Sequence, residues 1–242
     1  MGQIPGAGMS GLVESALAIL AGSGHRTRIA SENIGNMTTP GYKARVAFRG
    51  MASGEAITPP SAADMQISSA QGPLRATGNQ FDLAIQGGGF FVVVSEGGQI
   101  YYTRQGHLQR AEDGRLMSPA GEAAQQTGGG DLIVQGDRVE ITADGVVLDG
   151  NQPVGQIAVV EPIAGAQLEP VSGSIFAAAE TGMVEAATAG IRQGMIEGSN
   201  VSLGDEMLGL MTATRQAETG ARLVQVYDEL MGRAFSTLGQ RG

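Results

Sequence analysis

The sequence predicts an α+β protein. Two helices from opposite ends of the chain form one discontinuous, coiled-coil-like helical domain, and an all-β antiparallel domain is inserted between them. Three observations carry this reading. Residues 9 to 36 place small or apolar residues at alternating spacings of three and four, which is one face of a helix. Residues 203 to 238 repeat that spacing. Between them, from about 72 to 182, the period falls to two and glycine-rich turns separate short apolar runs, as strands and hairpins require. The boundaries expected are 1–8 as an N-terminal extension, 9–36 with 196–242 as the helical domain, 37–71 as an extended linker region and 72–195 as the β-domain.

The first helix carries its seam on Val13, Ala16, Leu20, Ser23, Thr27, Ala30 and Ile34. Ser10 is the expected N-cap, and Glu14 sits in the first turns, where the helix dipole favours an acid. Only three seam residues are large aliphatics, each worth roughly 1.5–3 kcal/mol when fully buried. Gly22 and Gly24 each cost about 1 kcal/mol against alanine. Alone, such a helix is marginal.

The helix runs into "NIGNMTTPGYK", Asn33 to Lys43. Asn33 and Asn36 can bond nearby backbone groups at a helix end. Pro40 biases Thr39 away from the helical region, and Gly41 permits a turn. The segment therefore ends the helix and redirects the chain. Residues 50 to 71 then read as extended.

Seven strands are expected in the middle region: "FDLAI" (81–85), "FFVVV" (90–94), "IYYTR" (100–104), "LIVQ" (132–135), "VEI" (139–141), "VVL" (146–148) and "GQIAVV" (155–160). Asp113-Gly114, Asp144-Gly145 and Asp149-Gly150 lie between apolar runs. Asp-Gly is a strong hairpin cue because both residues tolerate positive φ.

The second helix has its seam on Leu203, Met207, Leu210, Thr214, Ala217, Ala221, Val224, Asp228, Met231, Phe235 and Leu238. Ser202 followed by Asp205 resembles a capping box. Gly209, Gly220 and Gly232 favour close backbone approach over stiffness. Two such thin seams do not supply a stable core by themselves, since ordering each residue costs about 1–2 kcal/mol of backbone entropy. The pair is expected to need helices from further copies. Val13, Leu20, Ile34, Met207, Leu210, Val224, Met231 and Phe235 are the assembly-interface candidates.

Composition narrows the function classes. The net charge is −9 and the isoelectric point about 4.7, which argues against a nucleic-acid partner. No apolar run approaches the 18 residues of a membrane span, so no membrane insertion is expected. "MGQIPGAG" lacks the basic and apolar regions of a cleaved signal peptide. There is no cysteine, hence no disulfide framework or thiolate chemistry. "QGGGFF" lacks the Gly-Lys-Ser/Thr of a phosphate cradle and reads as a turn. His25 and His107 are the only histidines; one lies off the helical seam and the other in a hairpin, and neither has the spacing of metal ligands. Asp82, Asp113, Asp144 and Asp149 read as turn formers rather than a Ca²⁺ site. No catalytic, cofactor-binding or metal residue is assigned, and no cofactor is expected.

Four stretches in order resemble bacterial flagellar rod and hook proteins. Asn33, Asn36, Thr39, Gly41, Tyr42 and Lys43 match that family's Asn-x-x-Asn-x-x-Thr-x-Gly-Phe/Tyr-Lys/Arg signature, with Gly35 where alanine is usual. "TGNQFDLAIQGGGFFVV" (77–93) and "YTRQGHLQRAEDGRLMSPAGE" (102–122) are similar to its β segments. "IEGSNVSLGDEMLGLMTATRQAE" (196–218), with Gly198, Ser199 and Asn200, is similar to the lead into its C-terminal helix. The resemblance implies a structural, non-enzymatic subunit of the basal-body rod that spans the periplasm. It implies export without a cleaved signal through the flagellar export apparatus. It also implies assembly with copies of itself and with other rod and hook proteins into a helical tube that transmits torque. Family members begin near an equivalent of Met9, so residues 1–8 would be extra or belong to an earlier start codon. The short insert and "TTPGYKA" favour a proximal rod position over a distal rod or hook-type one. The contrasting class is a soluble β-domain binding module with a helical dimerisation stalk, which would need carboxylates or aromatics clustered on one β face.

Overall fold

A computed structural model of the chain describes residues 7–47, 65–178, 182–186 and 189–239. It is α+β, with one long helix near each end and an extensive antiparallel β region between them. The chain divides into two compact units. One draws on both ends of the chain together with the segment that begins at Arg45, and the other comprises Gly35–Ala44 and Gln66–Val201. Of the expected linker 37–71, residues 48–64 lie outside the described residues.

The first unit is built on helix α1 (Ala7–Gly35) and helix α2 (Leu203–Gly239). At 37 residues, α2 is about 55 Å long. Two contacts fix how they run. Asn33 Nδ2 donates to Glu206 Oε1 at 2.7 Å, while Gly220 lies against Leu20, Ile19 and the Ala16 carbonyl. Residue numbers rise along one helix as they fall along the other, so the two are antiparallel. Ala16, Ser23 and Ala30 of the α1 seam are buried, whereas Thr27 is exposed.

The α2 seam is rotated from its expected phase. The buried and half-buried line is Glu206, Leu210, Ala213, Ala217, Gly220, Val224, Tyr227 and Met231. Met207, Thr214, Ala221 and Asp228 are exposed. Two backbones approach most closely where side chains are absent, so Ala213 and Gly220 set the phase rather than the larger Met207. The start of α1 also differs: Ser10 lies inside the helix, which extends to Ala7. Ser202 does sit at the N-cap of α2, with Asp205 N–H directed to Ser202 Oγ at 3.4 Å and Glu206 N–H bonded to the Ser202 carbonyl at 3.0 Å.

The second unit contains a nine-stranded sheet. Its main path runs Glu169–Ser172, Ile175–Ala177, Ile100–Thr103, Phe90–Val94, Ala123–Ala124, Leu116–Met117, Gln109–Arg110. Val159–Pro162 joins it by pairing with Phe90–Val94 and with Met183–Glu185. A three-stranded sheet holds Val139–Ile141, Val146–Asp149 and Gln152–Gln156. Two further ladders join Gly190–Gln193 to Leu83–Gln86 and Met195–Glu197 to Leu74–Ala76. All these pairings are antiparallel.

The run "FFVVV" is apolar throughout because its strand is covered on both faces. Phe91 enters one core with Leu83, Ile85, Leu116, Leu132 and Val147. Phe90 enters a second core with Tyr102 and Phe176, meeting Phe176 edge-on at 5.7 Å. The expected strand 132–135 is only an isolated bridge at Ile133. "GQIAVV" breaks at Ile157 and Ala158, whose N–H groups bond the carbonyls of Gly145 and Gln125. That break sends its two halves to different sheets. Each Asp-Gly turn has its glycine at positive φ: 88° at Gly114, 82° at Gly145 and 62° at Gly150.

Candidate functional site

"NIGNMTTPGYK" folds as a stack of turns after α1. Thr39 N–H bonds the Asn36 carbonyl at 3.1 Å, and Thr39 Oγ1 bonds Asn36 Oδ1 at 3.2 Å. Tyr42 N–H reaches the Thr39 carbonyl at 3.3 Å. Gly41 has φ 70°, and a Cβ there would lie 2.3 Å from the backbone nitrogen of Gln105. It is glycine for both reasons. Its own N–H donates to the Glu197 carbonyl at 2.8 Å, which brings the segment against the end of the strand Met195–Glu197.

The chain then places Lys43 inside the β unit, with its side chain 1% exposed. Lys43 Nζ donates to Glu197 Oε1 at 2.7 Å and to the Ala70 carbonyl at 2.8 Å. Glu197 Oε1 also accepts Gly72 N–H at 2.9 Å. Glu197 Oε2 accepts Arg104 Nη1 at 3.0 Å. Arg104 Nη2 donates to the Gly87 carbonyl at 2.8 Å, and the guanidinium lies 5.3 Å from the Phe90 ring centre. Glu197 and Arg104 are 1% and 3% exposed. Two cations thus share one carboxylate away from water, and Arg104 Nε has no partner. Burial pushes Lys43 below the ordinary lysine range; the Glu197 carboxylate opposes this, and Arg104 adds to it. Burial also lowers Arg104, again opposed by Glu197.

Asn200 shares the Ala70 carbonyl with Lys43. Its Oδ1 accepts Ala44 N–H at 2.6 Å, and its Nδ2 donates to the Ala70 carbonyl at 2.8 Å. Gly198 N–H bonds the Pro73 carbonyl at 2.9 Å. Ser199 Oγ accepts Val201 N–H at 3.3 Å. Gly41, Tyr42, Lys43, Gly198, Ser199 and Asn200 of the sequence motifs are therefore gathered around Glu197, with Thr39 and Asn36 in the turn leading to them. Neither Glu197 nor Arg104 is singled out by sequence spacing, although each lies within a quoted motif. The signal available was charge alone: Arg104 is the one Lys or Arg, and no acid accompanies it, from 97 to 109, and Glu197 is the one charged residue from 193 to 204.

Asn33 reaches beyond its own helix end. Its side chain bonds the backbone of Arg45 in both directions, each at 2.9 Å, besides Glu206. Glu32 pairs with Arg45 and with Arg28. These bonds tie the end of α1 to the strand Arg45–Ala47 and to α2 within the first unit.

Of the assembly candidates, Val13, Leu20, Ile34, Leu210, Val224 and Met231 are half-buried, and Met207 is exposed. The side chain of Phe235 lies outside the described residues. Leu208 and Met211 are 64% and 58% exposed. At 100° per residue they point away from the Ala213–Gly220 line. Leu12 and Leu17 of α1 are exposed as well.

Two expected turn formers have other work. Asp82 is buried, accepting from Asn79 Nδ2 at 3.1 Å and meeting His107 Nδ1 at 2.6 Å. Asp149 Oδ2 accepts the N–H groups of Gln135 and Gly136, each at 2.8 Å. An open groove of about 210 Å³ beside Val92, Val94, Ile100 and Val160 is mainly apolar, with Glu185 on its rim.

Comparison with known proteins gives two family matches. Residues 84–149 match the flagellar hook protein FlgE/F/G D1 domain, and residues 192–237 match the flagellar basal body rod FlgEFG protein C-terminal region. The chain is 31% identical over 219 residues to the flagellar basal-body rod protein FlgF of Mesorhizobium japonicum, covering 87% of this chain and 90% of the relative. It is 33% identical over 173 residues to FlgF of Caulobacter vibrioides, covering 70% of each. It is 26% identical over 237 residues to the flagellar basal-body rod protein FlgG of Bacillus subtilis, covering 84% of this chain and 89% of the relative.

Proposed function

The chain belongs to the flagellar basal-body rod protein family, and from that premise we propose how it works as a structural subunit of the rod. Its place is the basal body of the flagellum, and it assembles there with other rod and hook proteins. The antiparallel α1–α2 pair acts as a coiled-coil-like assembly domain. It packs against the same helices of neighbouring copies and of related axial proteins to build a helical tube that carries torque. The β unit takes no part in that inner packing.

One observation supports this most directly. The helices bury small residues against each other and leave Leu208, Met211, Leu12 and Leu17 in water. Each large aliphatic side chain left exposed forgoes about 1.5–3 kcal/mol that burial would supply, so the helix faces are stabilised by further packing. We assign the proximal, FlgF-type position. FlgF relatives in Mesorhizobium japonicum and Caulobacter vibrioides stand at 31% and 33% identity, whereas FlgG relatives stand at 26–29%. Delivery through the flagellar export apparatus, without membrane insertion, belongs to the same reading.

A tagged copy located in isolated basal bodies tests the placement. The proximal reading expects the label at the inner end of the rod; label along the distal rod or hook refutes it. The double substitution Leu208→Asp and Met211→Asp tests the helix faces. It should leave the β unit folded and remove the protein from basal bodies. Normal incorporation of the variant refutes the assembly role of that face.

A further inference from the structure

We propose that the Glu197 cluster is a latch that closes from the C-terminal side. Residues 36–44 hold their path through the β unit only once Glu197 has been delivered between Lys43 and Arg104. The inference rests on the β unit's own geometry and is independent of the rod assignment.

Chain order and burial carry it. Lys43 and Arg104 both precede Glu197, and both end within 3.0 Å of its carboxylate. Without that carboxylate, two like charges would be buried side by side, with no counter-charge and only the carbonyls of Ala70, Ile85 and Gly87 and the Phe90 ring against them. Removing the shared partner of a buried ion cluster leaves uncompensated charge, the costliest way to break it. The buried residues of the two cores run from Leu83 to Ile191, and Lys43, Arg104 and Glu197 are not among them. A β unit with its cores formed but Glu197 absent would therefore keep residues 36–44 open. With Glu197 present, Gly41 N–H finds the Glu197 carbonyl, Ala44 N–H finds Asn200, and Gly198 N–H finds Pro73. The N-terminal segment thus takes its place only when the C-terminal segment has arrived.

Amide hydrogen exchange on the full-length protein tests this. The reporters are Gly41, Ala44 and Gly198, whose N–H groups do not bond the Glu197 side chain, with Val92 and Leu132 as core references. In Glu197→Gln, the three reporters should exchange at least ~100-fold faster while the references keep their rates. Adding Lys43→Met removes one of the two repelling cations. The double variant should recover at least ~10-fold of the lost protection. Unchanged reporters in Glu197→Gln would overturn the latch. So would an equal acceleration at the core amides, whole-unit unfolding included, because the cluster would then be a general stabiliser. A double variant no better protected than Glu197→Gln would overturn it too, since repulsion would not be what holds the segment open.

Discussion

Single residues show how far local chemistry reaches in this chain. Asp149 was legible as half of an Asp-Gly turn, and Gly150 does take positive φ. Its second task was not legible, because its partners, Gln135 and Gly136, lie outside the local hairpin. Their N–H groups, Gly136 first, hold the Asp149 carboxyl below the ordinary aspartate range. The folded state thus binds that proton less readily than the unfolded chain. Its contribution is complete above the ordinary aspartate range and disappears as pH falls through the lower folded value. Asp149→Asn should therefore lower the urea midpoint at neutral pH, and the gap to wild type should narrow as pH falls below the ordinary aspartate range. A gap independent of pH would show that the charge is immaterial. Gly41 makes a sharper case. Its freedom to turn was readable from "TPGY", but the backbone pressed against it was not. Gly41→Ala combines an unfavourable φ with a Cβ 2.3 Å from Gln105 N, and neither backbone can yield cheaply. A loss of at least about 2 kcal/mol is expected in thermal melts.

At the scale of elements, periodicity alone located both helices and the strand Phe90–Val94, whose residues are all buried or half-buried, since alternating threes and fours or an unbroken apolar run leave few other folds. What periodicity could not set was the phase of α2. The expected seam followed the spacing that begins at Leu203 and Met207, whereas the contact follows Ala213 and Gly220, where lack of bulk is the useful property. The strands Glu169–Ser172 and Met195–Glu197 were not legible, because the first is mostly polar with a proline inside it and the second runs into the stretch that leads to the C-terminal helix. The glycines of α2 divide accordingly. A side chain at Gly220 would meet Leu20 Cγ at 3.0 Å, whereas one at Gly209 meets nothing within 4 Å. Gly209→Ala should raise helix stability by about 0.5–1 kcal/mol through propensity alone. Gly220→Leu should force the helices apart and lower the helical melting transition while the β unit's own transition stays put. Circular dichroism followed against temperature separates these outcomes, and equal effects at the two glycines would deny the contact its role.

For the whole molecule, charge and apolar surface point to the same division of labour. Residues 37–201 carry 9 basic and 17 acidic side chains, so nearly all of the net −9 resides there and the helical ends are close to neutral. Acidic β units resist side-by-side approach through self-repulsion, whereas near-neutral helices with exposed leucine and methionine do not. Association between copies should then run through the chain ends. Limited proteolysis of the isolated protein should trim both termini and leave a core near residues 70–190; resistance at both termini would mean that a single copy already stabilises its helices. Leu210 gives the more direct test. It lies half-buried on the α2 line that continues to Ala213, one turn beyond Glu206 and its bond to Asn33. Leu210→Asp places a carboxylate four residues from Glu206 on the same face, where like charges repel, and removes an apolar contact from a helix pair that has few. The β unit contains neither group, so its exchange-protected core should survive intact while the variant is missing from isolated basal bodies. Normal amounts of the Leu210→Asp protein in those basal bodies would show that this helix line does not govern assembly, whatever its burial in the single chain.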